Sequence, residues 1–310
     1  MNILIGCNGG LTGIYLSKLF RNIPNIRIVG ANNNTVCCGK EFVDKQLFLP
    51  SADSSDFVES LIKILNDEKI DFYFPTHSKE MRCVSLFCDE LSKRTKSKFL
   101  VSDKETFEAL DNKRAMNINL TRISIPTPKL VTDFECNYPI VMKRDVGSGG
   151  SGLIEIINKP LHMAYIDICS DASFYEKING KEYTADCLFD ADSKLIGINQ
   201  RVREKTMGGA VIISKTDNSF NILQYITKIS EEWNFKGCVN FQYIVSDGIP
   251  YFIDVNLRFP SGGLPLTVEQ GFNIPKLMLD IMEGRKVSSW VNVEPEKRMY
   301  RYFEERFEQI

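Results

Sequence analysis

The sequence predicts an α/β protein, α+β overall, in which a doubly wound parallel sheet is followed by antiparallel sheets. Two observations support this prediction. Strand-like apolar runs alternate with helical stripes up to about residue 102, which is typical of a parallel sheet with crossover helices. From residue 140 onward, strand-like runs follow one another through turns, which indicates antiparallel pairing. The length of 310 residues favours two or three domains.

The first hundred residues supply the elements of the parallel sheet. Strands are predicted at 1–5, 26–29, 71–75 and 99–101, and helices at 14–20, 57–65 and 81–91. A glycine-rich turn at 6–13 joins the first strand to the first helix. It does not fit G-x-G-x-x-G, and the second strand is followed by Asn32 rather than by a ribose-binding carboxylate. We therefore favour a structural or substrate-facing turn over a dinucleotide site.

The rest of the chain supplies antiparallel strands and a few helices. Strands are predicted at 140–144, 153–157, 173–177, 182–189, 195–202, 238–245 and 251–255, and helices at 105–110, 113–120, 222–233 and 274–282. The stretch 159–162 resembles a loop, and we expect its His162 to be structural. The other histidine, His77, follows a predicted strand, where it has either a structural role or a role in a pocket.

The composition argues against several classes of function. Basic and acidic residues number 38 and 40, and a net charge of −2 gives no reason to expect nucleic acid or an anionic membrane as a partner. We find no apolar run of membrane-spanning length and no basic leader of a secretory signal. The nine cysteines include no C-x-x-C pair, which favours reduced thiols, a cytoplasmic protein and no structural zinc site.

A strand with a lysine near its end leads into a glycine-rich loop. The lysine is Lys143, and four of the six residues at 147–152 are glycine. A plain hairpin loop needs only one or two glycines. A flap that closes over a polyphosphate would use all of them, with serine hydroxyls and backbone N–H groups as donors and Lys143 as a point charge. The alternative is a loose surface loop.

The most specific pattern is a predicted hairpin with oxygen-bearing side chains on one face. A three-residue turn at 246–248 would place Gln242 on the same face as Asp254 and Asn256. Oxygen ligands without His or Cys suit Mg²⁺, which takes one or two carboxylates plus substrate phosphates. A two-residue turn would move Gln242 to the other face, and a solvated polar face is the alternative. The face expected to pack into the core consists of Phe241, Tyr243, Ile253 and Val255.

Two further segments carry weaker signals. The bend that follows Glu176 frees backbone groups that can pair with an adenine edge, and Glu182 can bind ribose hydroxyls. An ordinary hairpin with a surface glutamate is the alternative. Arg201 and Arg203 alternate along one strand, so both guanidinium groups share a face suited to phosphate or carboxylate capture. A solvent-exposed basic strand explains that pair equally well.

Taken in order, these segments resemble the ATP-grasp superfamily, in particular stand-alone proteins similar to the carbamoyl phosphate synthase large subunit. The resemblance spans nearly the whole chain and rests on the ordered set of segments rather than on a single motif. It implies a Rossmann-like pre-ATP-grasp domain at 1–104, an ATP-grasp N-terminal subdomain with the glycine-rich flap at 105–172, and a C-terminal subdomain with the metal site and the tail at 173–310.

The resemblance also implies roles for single residues. Those implied to bind ATP are Lys113, Lys143, Gly147, Ser148, Gly149, Gly150, Ser151, Glu176, Lys177, Ile178 and Glu182. In this set Lys113 and Lys143 would contact the phosphates, and Glu182 would contact the ribose. The bend that begins at Glu176 would contact the adenine. Those implied to hold Mg²⁺, with Mn²⁺ as a substitute, are Gln242, Asp254 and Asn256. Arg258 is implied to act in catalysis by stabilising the transferring phosphoryl group, and we add Arg201 and Arg203 to the catalytic set because of their shared strand face.

The activity implied by the resemblance is that of an ATP- and Mg²⁺-dependent carboxylate–amine ligase, which forms an amide or peptide bond through an acyl phosphate. Its partners would be a small carboxylate and an amine, without nucleic acid or membrane, and family members are often homodimers. The chain departs from the family at the metal strand, where Asp254 and Leu257 replace the common Glu and Pro. This departure keeps a catalytically weak ATP-binding regulatory protein as an alternative. A nicotinamide-dependent dehydrogenase built on the first domain and carboxylation through carboxyphosphate are two further alternatives.

Overall fold

Three β-sheets form the framework of the protein. The computed structural model describes residues 1–147, 153–208 and 210–309. A four-stranded parallel sheet comes first in the chain, a three-stranded antiparallel sheet second and a six-stranded antiparallel sheet last. The predicted α/β class, α+β overall, is confirmed.

The N-terminal sheet has the strand order β3-β2-β1-β4, and all its pairs are parallel. Its strands are β1 (Asn2–Gly6), β2 (Arg27–Asn32), β3 (Lys45–Phe48) and β4 (Phe72–Phe74). The helices of this region are α1 (Leu11–Phe20), α2 (Phe57–Asp67), α3 (Ser78–Leu86) and α4 (Cys88–Arg94). Consecutive residues Ile3, Leu4 and Ile5 are all fully buried, because the central strand of a parallel sheet is covered on both faces.

Three details of this region differ from the prediction. The segment 99–101 forms no strand; the neighbouring Lys98 makes one bridge to Phe72, and Leu100 is held by burial of its side chain. The helix predicted at 81–91 is two helices that meet at Phe87, where φ of −107° and ψ of 21° leave the helical region. Strand β3 is absent from the prediction because this edge strand is short and offers no run of buried apolar residues.

The remaining strands form two antiparallel sheets. The small sheet, ordered β6-β5-β7, consists of β5 (Ile140–Arg144), β6 (Ile154–Ile156) and β7 (Ala172–Glu176). The large sheet, ordered β12-β11-β8-β9-β10-β13, consists of β8 (Lys181–Phe189), β9 (Leu195–Met207), β10 (Ala210–Thr216), β11 (Gly237–Ser246), β12 (Ile249–Asn256) and β13 (Arg298–Tyr300). The helices are α5 (Lys104–Leu110), α6 (Lys113–Arg122), α7 (Lys159–Ile168), α8 (Leu223–Ser230), α9 (Leu264–Glu269) and α10 (Ile274–Met282). No helix in the described ranges has the length and apolar character needed to cross a bilayer.

The stretch 159–162 begins helix α7, so the loop interpretation is wrong. The Asn158 side chain caps this helix by accepting a hydrogen bond from the Leu161 N–H, and Pro160 occupies the first turn. His162 is buried in the small subdomain, as its structural interpretation requires. Its ring packs 4.4 Å from that of Phe174, centroid to centroid. Both signals, Asn158 and Pro160, are visible in the sequence, but the loop prediction did not take them into account.

One apolar core joins the N-terminal domain to the large sheet. A continuous buried cluster runs from Leu4 and Tyr73 of the parallel sheet, through the helices α5 and α6, to Phe241 and Phe252 of the last hairpin. Side chains in such a core are close-packed and shift little relative to one another. The shared core therefore sets the position of α3 relative to β12, the two elements that border the candidate site.

A buried ion pair lies within the large sheet, directly beneath the candidate site. Arg201 on β9 donates from Nε and Nη2 to the two carboxylate oxygens of Asp186 on β8, at 2.8 and 3.1 Å. The Thr267 hydroxyl of α9 donates to the same carboxylate at 2.5 Å. Both charged side chains are almost completely buried, with exposures of 3% and 0%. Gly263 is required here, because a Cβ at this position would lie 1.9 Å from Arg201 Cζ.

Removal of the Asp186 carboxylate should destabilise the fold. Asp186→Ala leaves a buried guanidinium without its partner, so we expect a loss of about 3–5 kcal/mol in the free energy of unfolding, measured by urea denaturation. The control Asp67→Ala breaks the exposed Lys63–Asp67 pair and should cost no more than about 0.5 kcal/mol. A loss in Asp186→Ala no larger than that of the control would contradict the structural importance of this ion pair.

A second buried carboxylate predicts a pH-dependent stability. Burial raises the pKa of Glu80 on α3 to about 7, against the opposing effect of the Thr76 and His77 backbone N–H groups. In the unfolded chain Glu titrates near about 4.3. A carboxyl group whose pKa is raised on folding contributes stability that is complete below the unfolded pKa and is lost as the pH rises through the folded one.

We therefore expect the free energy of unfolding of the wild type, relative to Glu80→Gln, to fall by on the order of 3 kcal/mol between pH 4.5 and 8. The substitution keeps the shape of the side chain and removes the titration. Chemical denaturation across this pH range measures the difference. Glu105→Gln at an exposed position of α5 serves as the control and should give a flat difference. A flat profile for Glu80→Gln as well would show that Glu80 titrates normally.

Candidate active site

The β11–β12 hairpin carries the candidate metal ligands, and its turn differs from the prediction. Ser246 pairs with Ile249, so the turn contains two residues, Asp247 and Gly248. Both have positive φ, at 50° and 77°, which is the conformation of the hairpin turn whose twist matches that of the strands. The predicted three-residue turn is therefore wrong.

A β-bulge compensates for the shorter turn. In a regular hairpin with this turn, Gln242 would lie opposite Ile253 and would face away from Asp254. The register instead shifts between Gln242 and Tyr243, so that Gln242 pairs with Asp254 and Ile253 is left without a partner. The three oxygen-bearing side chains consequently share one face, as predicted. On the core face Phe252, which is fully buried, takes the place predicted for Ile253.

A cavity of about 330 Å³ lies over this face and brings most of the predicted residues together. The predicted residues that line it are Lys113, Lys143, Gly147, Glu182, Arg201, Arg203, Gln242, Asp254, Asn256 and Arg258. Counting Arg144, six basic and only two acidic side chains line the walls. Such an excess of positive charge in a concave site attracts a polyanion.

The three predicted metal ligands offer one carboxylate and two amides. The Asn256 side-chain amide donates to Asp254 Oδ2 at 3.0 Å, and Gln242 Oε1 accepts from Arg203 Nη1 at 3.4 Å. Throughout the described ranges no three His, Cys, Asp or Glu side chains form a metal-binding group. These hard oxygen donors fit a Mg²⁺ ion that takes its remaining ligands from substrate phosphates and water, and they do not fit a closed all-protein site.

Two lysines approach this face from different elements. Lys113, at the start of α6, donates to the Gly147 carbonyl at 2.9 Å and lies 3.9 Å from Asp254 Oδ1. Lys143 on β5 lies over the Tyr175 ring at 5.7 Å, and its Nζ is 3.5 Å from the Ile253 carbonyl oxygen. Burial lowers the pKa of Lys143, and Asp254 opposes this effect. A phosphate placed between these ammonium groups would compensate for the desolvation of Lys143.

Arg258 links the metal strand to the N-terminal domain. Its Nη2 donates to Asn256 Oδ1 at 2.9 Å, and its Nε donates to the Ser78 hydroxyl at 2.6 Å. Ser78 is the first residue of α3, so the guanidinium bridges the end of β12 and the start of that helix. Ser78 could not be recognised from the sequence, because nothing local reveals a contact between residues so far apart in the chain.

Arg201 and Arg203 of β9 line the cavity as predicted, but each already forms an ion pair with a neighbouring carboxylate. Arg203 donates to Glu182 at 2.5 Å, so the carboxylate predicted to meet a ribose forms an ion pair here. Arg201 is held by Asp186, and within the described residues its Nη1 has no hydrogen-bond partner. Arg201 is thus a buried positive charge in the wall, held in place by Asp186.

Other predicted residues lie elsewhere or outside the described part of the chain. Glu176, Lys177 and Ile178 are not among the lining residues of this cavity; Glu176 accepts from the Lys129 N–H at 2.9 Å, and Lys177 pairs with Glu155 at 2.7 Å. Of the predicted flap, Gly147 lines the cavity. The remaining flap residues, Ser148, Gly149, Gly150, Ser151 and Gly152, lie outside the described residues.

The loop after β12 closes one end of the cavity and was not predicted to take part. Ser261 and Gly262 line the wall there. Arg301, beyond β13, holds this loop to β10 by donating to the carbonyls of Gly262 and Val211 at 3.0 and 3.2 Å. The cluster of Pro, Ser and Gly directly after the metal strand was the sequence signal for such a loop.

Known proteins share this architecture. A family profile described as "ATP-grasp in the biosynthetic pathway with Ter operon" matches residues 171–305. The carbamoyl phosphate synthase large chain of Caldanaerobacter subterraneus subsp. tengcongensis is 24% identical over 210 residues, which cover 62% of this chain and 19% of that protein. The chain thus aligns with about a fifth of the length of this relative.

Solved structures give the same picture. The biotin carboxylase domain of the Hydrogenobacter thermophilus 2-oxoglutarate carboxylase, a dimer with MgADP, ADP and bicarbonate, superimposes with a TM-score of 0.73 at 16% identity and covers 92% of this chain and 70% of its own. An L-amino acid ligase from Bacillus licheniformis superimposes with a TM-score of 0.69 at 15% identity, with coverages of 91% and 74%. In fold, and in sequence over residues 171–305, the chain is similar to proteins of the ATP-grasp superfamily, and it resembles the carbamoyl phosphate synthase large chain over part of that protein's length.

Proposed function

We propose that this protein is an ATP-dependent ligase that joins a carboxylate to an amine through an acyl phosphate. The observation that carries the proposal is the basic cavity, in which Lys113, Lys143 and Arg258 line the walls together with the Asp254 carboxylate. That arrangement suits a triphosphate accompanied by one cation. The solved neighbours that bind MgADP or are named as ligases support the same interpretation.

The proposed reaction has two steps. A carboxylate oxygen of the first substrate attacks the γ-phosphorus of ATP, the bond to the β–γ bridging oxygen breaks, and ADP leaves with that electron pair. The amine nitrogen of the second substrate then attacks the acyl carbon. Inorganic phosphate leaves with the C–O electron pair, the nitrogen gives up its proton, and an amide remains. Neither step needs a covalent protein nucleophile, which is consistent with only two histidines in the chain.

The residues of the cavity would act by placing charge. Lys113 and Lys143 would bind the phosphate oxygens, and Arg258 would stabilise the negative charge that develops on the transferring phosphoryl group. Asp254, with the amide oxygens of Gln242 and Asn256, would hold Mg²⁺, or Mn²⁺ in its place. When bound, that ion would neutralise phosphate charge and favour the in-line geometry.

The nucleotide would extend away from the metal strand. We propose that the ribose meets Glu182, whose carboxylate would exchange part of its bond with Arg203 for the sugar hydroxyls. The bend at Glu176, Lys177 and Ile178 would border the adenine, and residues 147–152 would cover the phosphates. The predicted domains at 1–104, 105–172 and 173–310 and a homodimer belong to the same proposal; the carboxylase neighbour is described as a dimer.

A test of this function measures ADP release in mixtures of carboxylates and amines with ATP and Mg²⁺. We expect release that requires both a carboxylate and an amine, and that falls by at least about 100-fold in Asp254→Asn, which keeps the shape but removes the charge that holds the cation. Asp89→Asn, at an exposed position of α4, is the control and should retain activity.

The alternatives give different outcomes in that assay. No ADP release with any mixture would favour an ATP-binding regulatory protein, for which the single metal carboxylate is the structural argument. Release that depends on bicarbonate would favour carboxylation. Tight binding of NADH together with weak binding of ATP would favour the dehydrogenase. Unchanged turnover in Asp254→Asn would contradict the metal assignment.

Nucleotide affinity should depend on Lys143. Lys143→Met keeps the apolar stem and removes the charge, so we expect ATP to bind about 10- to 100-fold more weakly, as measured by isothermal titration calorimetry. Lys63→Met removes an exposed lysine of α2 and should leave the affinity unchanged. Equal ATP affinity in Lys143→Met and the wild type would remove Lys143 from the nucleotide site.

A further inference from the structure

A second cavity, of about 400 Å³, lies on the N-terminal side of the metal strand. It is bordered by α3 and by the start of α6. Four residues, Lys113, Gly147, Asp254 and Asn256, line both this cavity and the nucleotide cavity. A ligand here would therefore meet the same carboxylate and ammonium groups as the nucleotide. The proposed function leaves this space unassigned.

Two charged side chains that line the cavity, Arg82 and Asp111, form only a weak ion pair. Arg82 Nη1 lies 3.4 Å from Asp111 Oδ2, and the two side chains are 44% and 21% exposed. Burial raises the pKa of Asp111, with Arg82 and Lys113 acting in the opposite direction. A ligand that supplies an ammonium group to Asp111 and a carboxylate to Arg82 would give each residue a closer partner than it has now.

Large apolar side chains are exposed around the same cavity. Leu86 and Phe87, where α3 ends and α4 begins, are 42% and 41% exposed, and Val146 is 56% exposed. All three line the cavity, together with Cys83. Single exposed apolar residues are common on protein surfaces, but several that converge on one concave site are typical of an apolar ligand group.

We infer that this cavity binds the amine substrate, and that the substrate is an α-amino acid with an apolar side chain. Its carboxylate pairs with Arg82, its amino group pairs with Asp111, and its side chain packs against Leu86, Phe87 and Val146. Asp111 lines this cavity together with Asp254 and Asn256, so the amino group it holds shares the cavity with the strand where the acyl phosphate would form. The role as amine substrate rests on the proposed function, whereas the chemical class of the ligand rests on the cavity.

The same features disfavour other classes of amine. A diamine would bring a second ammonium group to Arg82, and an acidic amino acid would bring a carboxylate to the apolar wall. A further charged pair of the cavity, besides Lys113 with Asp254, is Lys79 with Asp53, which are 57% and 62% exposed and already in contact. That pair is well solvated, so it adds little to selectivity.

Calorimetric titration with Mg²⁺ and a non-hydrolysable ATP analogue present tests the ligand class without turnover. We expect L-leucine or L-phenylalanine to bind at least about tenfold more tightly than L-aspartate or L-lysine. 3-Methylbutylamine, which lacks the carboxylate of leucine, and 4-methylpentanoate, which lacks the amino group, should each bind at least about tenfold more weakly than leucine. Equal binding of leucine and aspartate, or of leucine and either analogue, would overturn the inference.

Substitutions of residues that line the second cavity test whether leucine binds there. Arg82→Gln and Asp111→Asn should each weaken leucine binding by about tenfold or more and leave binding of the ATP analogue unchanged. Leu86→Gln should weaken leucine binding in the same way. The controls are Arg94→Gln, which breaks exposed ion pairs of α4, and Leu223→Gln, at an exposed position of α8; both should bind leucine like the wild type. Binding of the ATP analogue also shows that each variant is folded.

The inference and the proposed function fail in different ways. Leucine binding that depends on Arg82 and Asp111, without ADP release, would support this cavity and contradict the ligase activity. ADP release with amines that are not amino acids, together with no leucine binding, would overturn the inference and leave the ligase proposal standing. Leucine binding that is unaffected by Arg82→Gln and Asp111→Asn would also overturn it, because the ligand would then lie elsewhere.

Discussion

The register of the last hairpin is the constraint on which the candidate site depends. Because side chains alternate along a strand, one unpaired residue decides which of them share a face. The bulge at Ile253 inserts that residue and brings Gln242 opposite Asp254. Without the bulge, the two-residue turn would place Gln242 on the opposite face, and its amide oxygen would not lie beside the Asp254 carboxylate. The large apolar core on the other face, which includes Phe252, holds the shifted register in place.

Several positively charged side chains near this face are buried and shielded from water. Arg201 is stabilised by Asp186 and is thus rigid before any ligand arrives, whereas Lys143 lies 3.5 Å from a backbone carbonyl oxygen and over an aromatic ring. The first arrangement costs little because the ion pair is bidentate and hydrogen-bonded. The second leaves a desolvated ammonium group, for which an anionic ligand is the natural partner. Together they suit a polyanion, because few groups would have to move when charge develops.

The metal strand separates two cavities of different character. The first has basic walls and suits a nucleotide; the second combines one loose ion pair with an apolar wall. Arg258 lines the first cavity and donates a hydrogen bond to Ser78, which lines the second. Since that domain and the hairpin share one core, the distance between the two cavities is set by packing and not by a flexible linker. An activated carboxylate and an attacking amine would thus be held at a fixed separation.

The sequence by itself determined the order of the sheets, most strands and the identity of the polar residues on the hairpin, because periodicity and turn chemistry are local properties. It did not determine the bulge, and the correct face for Gln242 was predicted from a wrong turn length. The start of α7 was present in the sequence as a capping pattern and was overlooked. Only the tertiary structure decided that Arg203 is paired with Glu182 and that Arg258 meets Ser78. It also decided that Arg82 and Asp111 face one cavity: these contacts join residues far apart in the chain, and only the packing of the sheets and helices brings them within hydrogen-bonding distance.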